Sequence, residues 1–233
     1  MVHFTLFGIP VYIRPSFWVV LAIFGGALSI SSVEDLIYPA LFVIAGFVAI
    51  LSHEMGHALV GRKLGGGQQT IVLELFGGLT RSHGMQLTRG GRALMILAGP
   101  MMTLLLGIIS LWLTWNIVAP VMTSYNLNFW DLAISPFTAA LISPKLYILS
   151  CLIMIGEWWT ILNLLPIYPL DGGQLIAQYI RSPRKVFMTG FITAILIGLL
   201  SFQLFHGYFI PIFMALFALS LIHISEPTRH AQI

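Results

Sequence analysis

Six apolar stretches dominate this sequence: Ser16 to Ser31, Leu36 to Val60, Ala93 to Ala119, Leu146 to Leu165, Val186 to Phe205 and Tyr208 to Ile224. A hydrocarbon core about 30 Å thick needs roughly 20 helical residues, somewhat fewer where the flanks sit at the interface, so each stretch is long enough to cross a bilayer. Only 8% of the residues are charged, against roughly 25% in soluble domains. Too few charges remain to keep these stretches in water, which excludes the soluble enzyme classes. The expected fold class is an all-α polytopic membrane protein with six transmembrane helices and a small membrane-associated β segment or re-entrant hairpin.

Basic residues sort the loops. Arg14, Arg62, Lys63, Arg81, Arg89, Arg92, Arg181, Arg184, Lys185 and Arg229 fall on one side of a six-span layout, and only Lys145, with Glu34, Asp35 and Asp131, falls on the other. Short cytoplasmic loops retain Lys and Arg, so both termini are expected in the cytoplasm. This sorting accounts for the basic balance without a nucleic-acid partner. Residues 1–15 hold one Arg, two Pro and β-type residues instead of a short basic head, so the first stretch is not expected to be a cleaved signal peptide. The loops are too short for a second folded module, and the expectation is one membrane-embedded domain over 1–224 followed by a polar tail, 225–233, that is disordered or non-native. Cys151 is the sole cysteine and lies within the fourth stretch, which excludes an intramolecular disulfide.

Two short regions break the helical pattern. Phe4 to Arg14 alternates imperfectly around a Gly and a Pro, which suits a hairpin at the cytoplasmic interface covering the next loop. That loop opens on Gly65-Gly66-Gly67 and continues as Ile71 to Thr80, β-branched and aromatic residues ending in paired glycines, which points to a strand or hairpin. Backbone at membrane depth is tolerated only against protein or water.

The chemical signal is His53-Glu54-Met55-Gly56-His57, near the cytoplasmic end of the second stretch. Residues four apart share a helix face, so both imidazoles can bind one Zn²⁺ while Glu54 reaches the water that the metal activates. Ionisable groups inside a span cost about 2.5–3.5 kcal/mol each on insertion scales, so their presence implies function or a wet cavity. A catalytic zinc takes three protein ligands and keeps a fourth position open. Lys63 and Glu74 are poor third ligands. Asp171, in Asn163-Leu-Leu-Pro-Ile-Tyr-Pro-Leu-Asp-Gly-Gly173, is the better one, because the layout returns it to the side of His57 and the prolines end the fourth stretch before it.

HEMGH, FGG at Phe76 to Gly78, AGP at Ala98 to Pro100 and NLLPIYPLDGG together resemble the site-2 protease family of intramembrane zinc metalloproteases. The similarity runs from FGIPVYIRPSF to about His223, and the tight spacing resembles the sporulation-type, pro-sigma-factor-processing branch. The resemblance implies one zinc per chain on His53, His57 and Asp171, with Glu54 as catalytic acid and base. It also implies Asn163 as an oxyanion donor, and Phe76, Gly77 and Gly78 as a substrate-binding segment on which an extended peptide pairs along Ile71 to Gly78. Substrates of this family are membrane-spanning or membrane-associated regulatory proteins, of the pro-sigma or anti-sigma type, and a regulatory membrane partner is a further expectation. Regulation through a PDZ or CBS module is not expected, and the small form points to a bacterial cell membrane. Thr103 stands where many relatives carry Asn, and the sequence gives it no role. An ion transporter would show repeated halves with polar residues on several helices, and a dead scaffold would have lost Glu54 or a ligand; this sequence shows neither.

Overall fold

The computed structural model describes residues 1–75, 77–125, 136–180, 182–205, 214–215 and 218. It divides into two compact units, residues 1–160 and 161–233, each treated by itself below.

In the first unit, strands β1 (Val2–Leu6) and β2 (Ile9–Ile13) form the expected hairpin. Phe7 and Gly8 turn it with φ of 50° and 75°, the positive pair whose twist matches the flanking strands. Strands β3 (Gln68–Glu74) and β4 (Gly77–His83) form a second hairpin. β2 pairs with β3 in parallel, giving one four-stranded sheet in the order β1-β2-β3-β4. The N–H of Arg14 donates to the Leu73 carbonyl at 2.9 Å, and its guanidinium pairs with Glu74 at 2.8 Å. The sheet corrects one expectation: β3 is hydrogen-bonded on both edges, so Ile71 to Glu74 offers no free edge to an incoming peptide. Among the described residues the free edge on this side belongs to β4.

Alternation along β2 and β3 puts Ile9, Val11, Ile13, Ile71 and Leu73 on one face. They pack against Phe17 and Leu21 of α1 (Pro15–Phe24) and Ile50, Met55 and Ala58 of α2 (Ile37–Gly65). Burial of a side chain of this size stabilises by about 1.5–3 kcal/mol where it leaves water. Helix α1 has ten residues, about 15 Å, and cannot cross a bilayer alone. Gly25 and Gly26 end it, Gly26 at φ 88°, so the first apolar stretch is a short helix followed by irregular chain instead of one span-length helix. Helix α2 stops where the glycine run predicts, with Gly66 at φ 66° donating its N–H to the Arg62 carbonyl at 3.1 Å.

The other helices are α3 (Arg89–Tyr125), α4 (Pro136–Ala140), α5 (Pro144–Leu164), α6 (Asp171–Ala177) and α7 (Pro183–Phe205). Four segments are long and apolar enough to cross a membrane: Glu34–Gly65, Arg89–Ile117, Pro144–Leu164 and Pro183–Gln203. They coincide with the second to fifth apolar stretches. The sixth, Tyr208 to Ile224, lies outside the described residues except for Met214, Ala215 and Ala218, and the 225–233 tail lies wholly outside them.

In lipid, helices gain little by hiding apolar surface from one another, and small residues that let backbones meet take over. A Cβ on Gly56 of α2 would strike the Ala98 carbonyl of α3 and lie 2.8 Å from Met102 Cγ. A Cβ on Gly156 of α5 would lie 2.9 Å from Gly107 Cα and from the Thr103 carbonyl, both on α3. Replacing Gly156 by Leu forces α3 and α5 apart and is expected to cost about 1–3 kcal/mol. The check is the midpoint of thermal unfolding in detergent, with Gly90→Ala, which meets nothing within 4 Å, as the unaffected control.

Candidate metal centre

One helical turn separates His53 from His57 on α2, and their Nε2 atoms come within 3.1 Å of each other. The edge of a tetrahedral site with Zn–N near 2.0–2.1 Å is about 3.3 Å, so the pair fits two ligands on one ion. Each ring is oriented from behind. His57 Nδ1 donates to the Met95 carbonyl at 2.8 Å, which fixes the tautomer and leaves Nε2 as a lone pair. His53 Nδ1 lies 3.3 Å from Thr103 Oγ1. The Thr103 hydroxyl spends its hydrogen on the carbonyl of Gly99 (3.2 Å) or Pro100 (3.1 Å), so its oxygen accepts from His53. Thr160 of α5 contacts both Thr103 Oγ1 and the Pro100 carbonyl at 3.2 Å. With both Nδ1 atoms turned to acceptors behind them, the two Nε2 atoms converge in an arrangement that suits a shared cation.

Gly99 explains the AGP motif. A Cβ there would collide with His57 Nε2 and lie 2.8 Å from His53 Nε2, so α3 touches the imidazoles with bare backbone. Glu54, next to His53 on the same helix, reaches toward the sheet. Thr80 of β4 donates its hydroxyl to Glu54 Oε2 at 2.7 Å and lies 3.1 Å from the Glu54 carbonyl, and Gly78 lies against the same carboxylate. Gly77, at φ 128°, leaves room for Trp159, whose ring atom Cζ2 would be 3.0 Å from a Cβ.

In the second unit α5 ends at Leu164, before Pro166, and Asp171 is the first residue of α6. Asp171 and Asn163 are both buried. The glycines after Asp171 make no turn of their own. Both lie in α6 without positive φ. Their missing side chains let the chain close on itself, because a Cβ on Gly172 would collide with the Leu164 carbonyl and one on Gly173 with the backbone of Ile167 and Tyr168.

His53, His57 and Asp171 are the candidate metal ligands, and two imidazoles with a carboxylate are a donor set that zinc takes at catalytic centres. Phe76 lies outside the described residues. Sequence reasoning missed Thr80, Thr103 and Thr160. The available signal was a hydroxyl on a strand facing α2, and hydroxyls inside otherwise apolar helices, with Thr103 one turn beyond Gly99.

Residues 41–205 match peptidase family M50. The chain belongs to that family. It is similar to a zinc metalloprotease of Methanocaldococcus jannaschii, 29% identical over 174 residues that cover 74% of this chain and 43% of the relative. This M50 chain spans less than half the length of the curated relatives it matches. Its fold is similar to that of the solved site-2 protease from Methanocaldococcus jannaschii, with a TM-score of 0.60, 24% identity and coverage of 100% of this chain and 98% of that one. The fold is therefore that of the site-2 protease family, mostly helical with a small sheet.

Groups that orient metal-binding histidines alter affinity by about 10- to 100-fold when removed. Thr103→Val is expected to weaken zinc binding by that amount while Thr103→Ser retains it, measured by competition with a chromophoric chelator. Gly99→Ala, which places a methyl group where the imidazoles converge, is expected to lose zinc altogether in the same titration.

Proposed function

We propose that this chain is an intramembrane zinc metalloprotease that hydrolyses peptide bonds of membrane-spanning or membrane-associated proteins. The observation that carries this reading is the convergence of His53 Nε2 and His57 Nε2 on a helix of span length, with Glu54 next to the first of them. Membership of a peptidase family supports it further. His53, His57 and Asp171 hold one zinc, which when bound supplies Lewis-acid polarisation of the scissile carbonyl and an acidified water.

Glu54 is the general base and then the general acid: its carboxylate takes a proton from the attacking water and passes it to the leaving amine. Asn163 donates to the developing oxyanion, supported by its burial near the end of α5 and its place in the NxxP motif. The substrate helix must unwind, because its peptide groups are otherwise engaged in helical hydrogen bonds. An extended segment then pairs with the open edge of β4, entering along Phe76, Gly77 and Gly78. Pairing on β4 instead of β3 keeps the peptide beside the strand that contacts Glu54.

The finer parts of the reading are a six-span layout with both termini cytoplasmic, a cell-membrane location, and substrates of the pro-sigma or anti-sigma type with a regulatory membrane partner. The one-sided distribution of Lys and Arg supports the orientation. The tight spacing of HEMGH, FGG and AGP supports the sporulation-like substrate class.

Detergent-purified protein is expected to cleave fluorescently labelled casein, to stop on addition of 1,10-phenanthroline and to recover with added zinc. Glu54→Gln is expected to keep near one zinc per chain by elemental analysis and to lose cleavage by at least about 100-fold. Asp171→Ala is expected to lose both zinc and cleavage. Full zinc in Asp171→Ala would exclude it as a ligand, and chelator-resistant cleavage would exclude the metalloprotease reading.

A further inference from the structure

The carboxylate of Glu54 is held by a strand, not by its own helix. β4 lies along α2, and Gly78 and Thr80, two residues apart, present the same strand face to it. Thr80 Oγ1 is 2.7 Å from Glu54 Oε2 and 3.1 Å from the Glu54 carbonyl oxygen. One hydroxyl carries one hydrogen, and the shorter contact, to the carboxylate, is the stronger of the two. On the same face a Cβ at Gly78 would lie 2.6 Å from Glu54 Oε1 and closer still to the side-chain carbons. Oε2 is therefore tied by a hydroxyl while backbone closes over the rest of the side chain. Glu54 is 5% exposed, so water does not compete for this bond.

We infer that Thr80 is a positioning residue for Glu54: its hydroxyl fixes the carboxylate in the orientation from which it moves protons. The inference rests on the proposed role of Glu54 as acid and base. A Glu side chain has three rotatable bonds, and a proton acceptor displaced by about 1 Å from its partner loses on the order of 100-fold in rate. Both side-chain contacts described for Thr80 go to Glu54, so its contribution is separable from zinc binding. It also belongs to the strand whose open edge is available to an extended peptide, so substrate pairing and base orientation share one element.

Three arms test this on the full chain in detergent, with labelled casein as substrate. Thr80→Val keeps the β-branched shape and removes the hydroxyl. It is expected to lower kcat by about 10- to 100-fold with KM and zinc content unchanged, and Thr80→Ser is expected to restore most of kcat. The second arm needs no turnover. Melting temperatures are compared for the parent, Thr80→Val, Glu54→Ala and the double variant, and Thr80→Val is expected to lower the midpoint less on the Glu54→Ala background than on the parent. Equal drops on both backgrounds, wild-type kcat in Thr80→Val, loss of zinc in Thr80→Val, or failure of Thr80→Ser to recover would each overturn the inference. The third arm is Glu54→Gln. If it stays active, the acid-base reading fails and takes this inference with it. If it is inactive while Thr80→Val turns over normally, the positioning role alone fails.

Discussion

The close approach of α2 and α3 is the constraint on which the site depends. Two imidazoles that are to share a metal inside a helix pair need both a common focus and groups behind them. Gly56 lets the carbonyl of Ala98 press against α2, and Gly99 lets bare backbone lie against the rings. The same proximity brings the Met95 carbonyl to His57 Nδ1 and Thr103 to His53 Nδ1, so two backbone approaches orient two ligands. The Gly107 and Gly156 contact does the equivalent for α5, delivering Thr160 to the Thr103 hydroxyl. Polar groups that would be costly in lipid become affordable because each one has a partner on the neighbouring helix.

Much of this was legible in the sequence. His53 and His57 are local: helical spacing alone puts them on one face, and the apolar run around them makes the helix unmistakable. The four long helices follow from hydrophobic length, and the glycine run after Gly65 marks the end of α2. The N-terminal hairpin follows from the alternation of Phe4 to Arg14 around a Gly and a Pro, although the place of its turn, at Phe7 and Gly8, does not. What could not be read was register between distant segments. That β2 takes β3 as a parallel neighbour, making β3 internal and β4 the edge, depends on residues more than fifty positions apart in sequence. The roles of Thr80, Thr103 and Thr160 are of the same kind, since a hydroxyl has no visible assignment until its partner arrives from another element. Gly172 and Gly173 show the opposite difficulty. Close approach and turn geometry leave the same letter in a sequence, and only the structure shows that these two serve close approach.

Glu54 sits at a junction between the two architectures of the chain. Its backbone is part of a span-length helix and its carboxylate contacts a strand, whereas the neighbouring His53 contacts α3, so under the proposed function acid-base group and ligand are oriented by different elements. The division is chemically sensible. Metal ligand and proton carrier can then be held independently, one by the helix pair and the other by the sheet.

The parallel pairing of β2 with β3 also imposes a parity on the chain. Two hydrogen-bonded strands occupy one depth, so everything between Ile13 and Gln68 must leave that depth and come back. Helix α2 accounts for one leg, about 43 Å for its 29 residues. The outward leg falls to residues 14–36, whose regular helix is only ten residues long. Leu21 meets Gly46 and Gly25 meets Phe42, so α1 runs antiparallel to α2 and covers only part of its length. The remainder is traversed by glycines, two short 3₁₀ turns and extended chain. If α2 is a full crossing, the segment ahead of it is one as well, in spite of its broken form. Non-helical backbone at that depth needs protein or water beside it, so this broken segment depends on its neighbours where an unbroken helix would not.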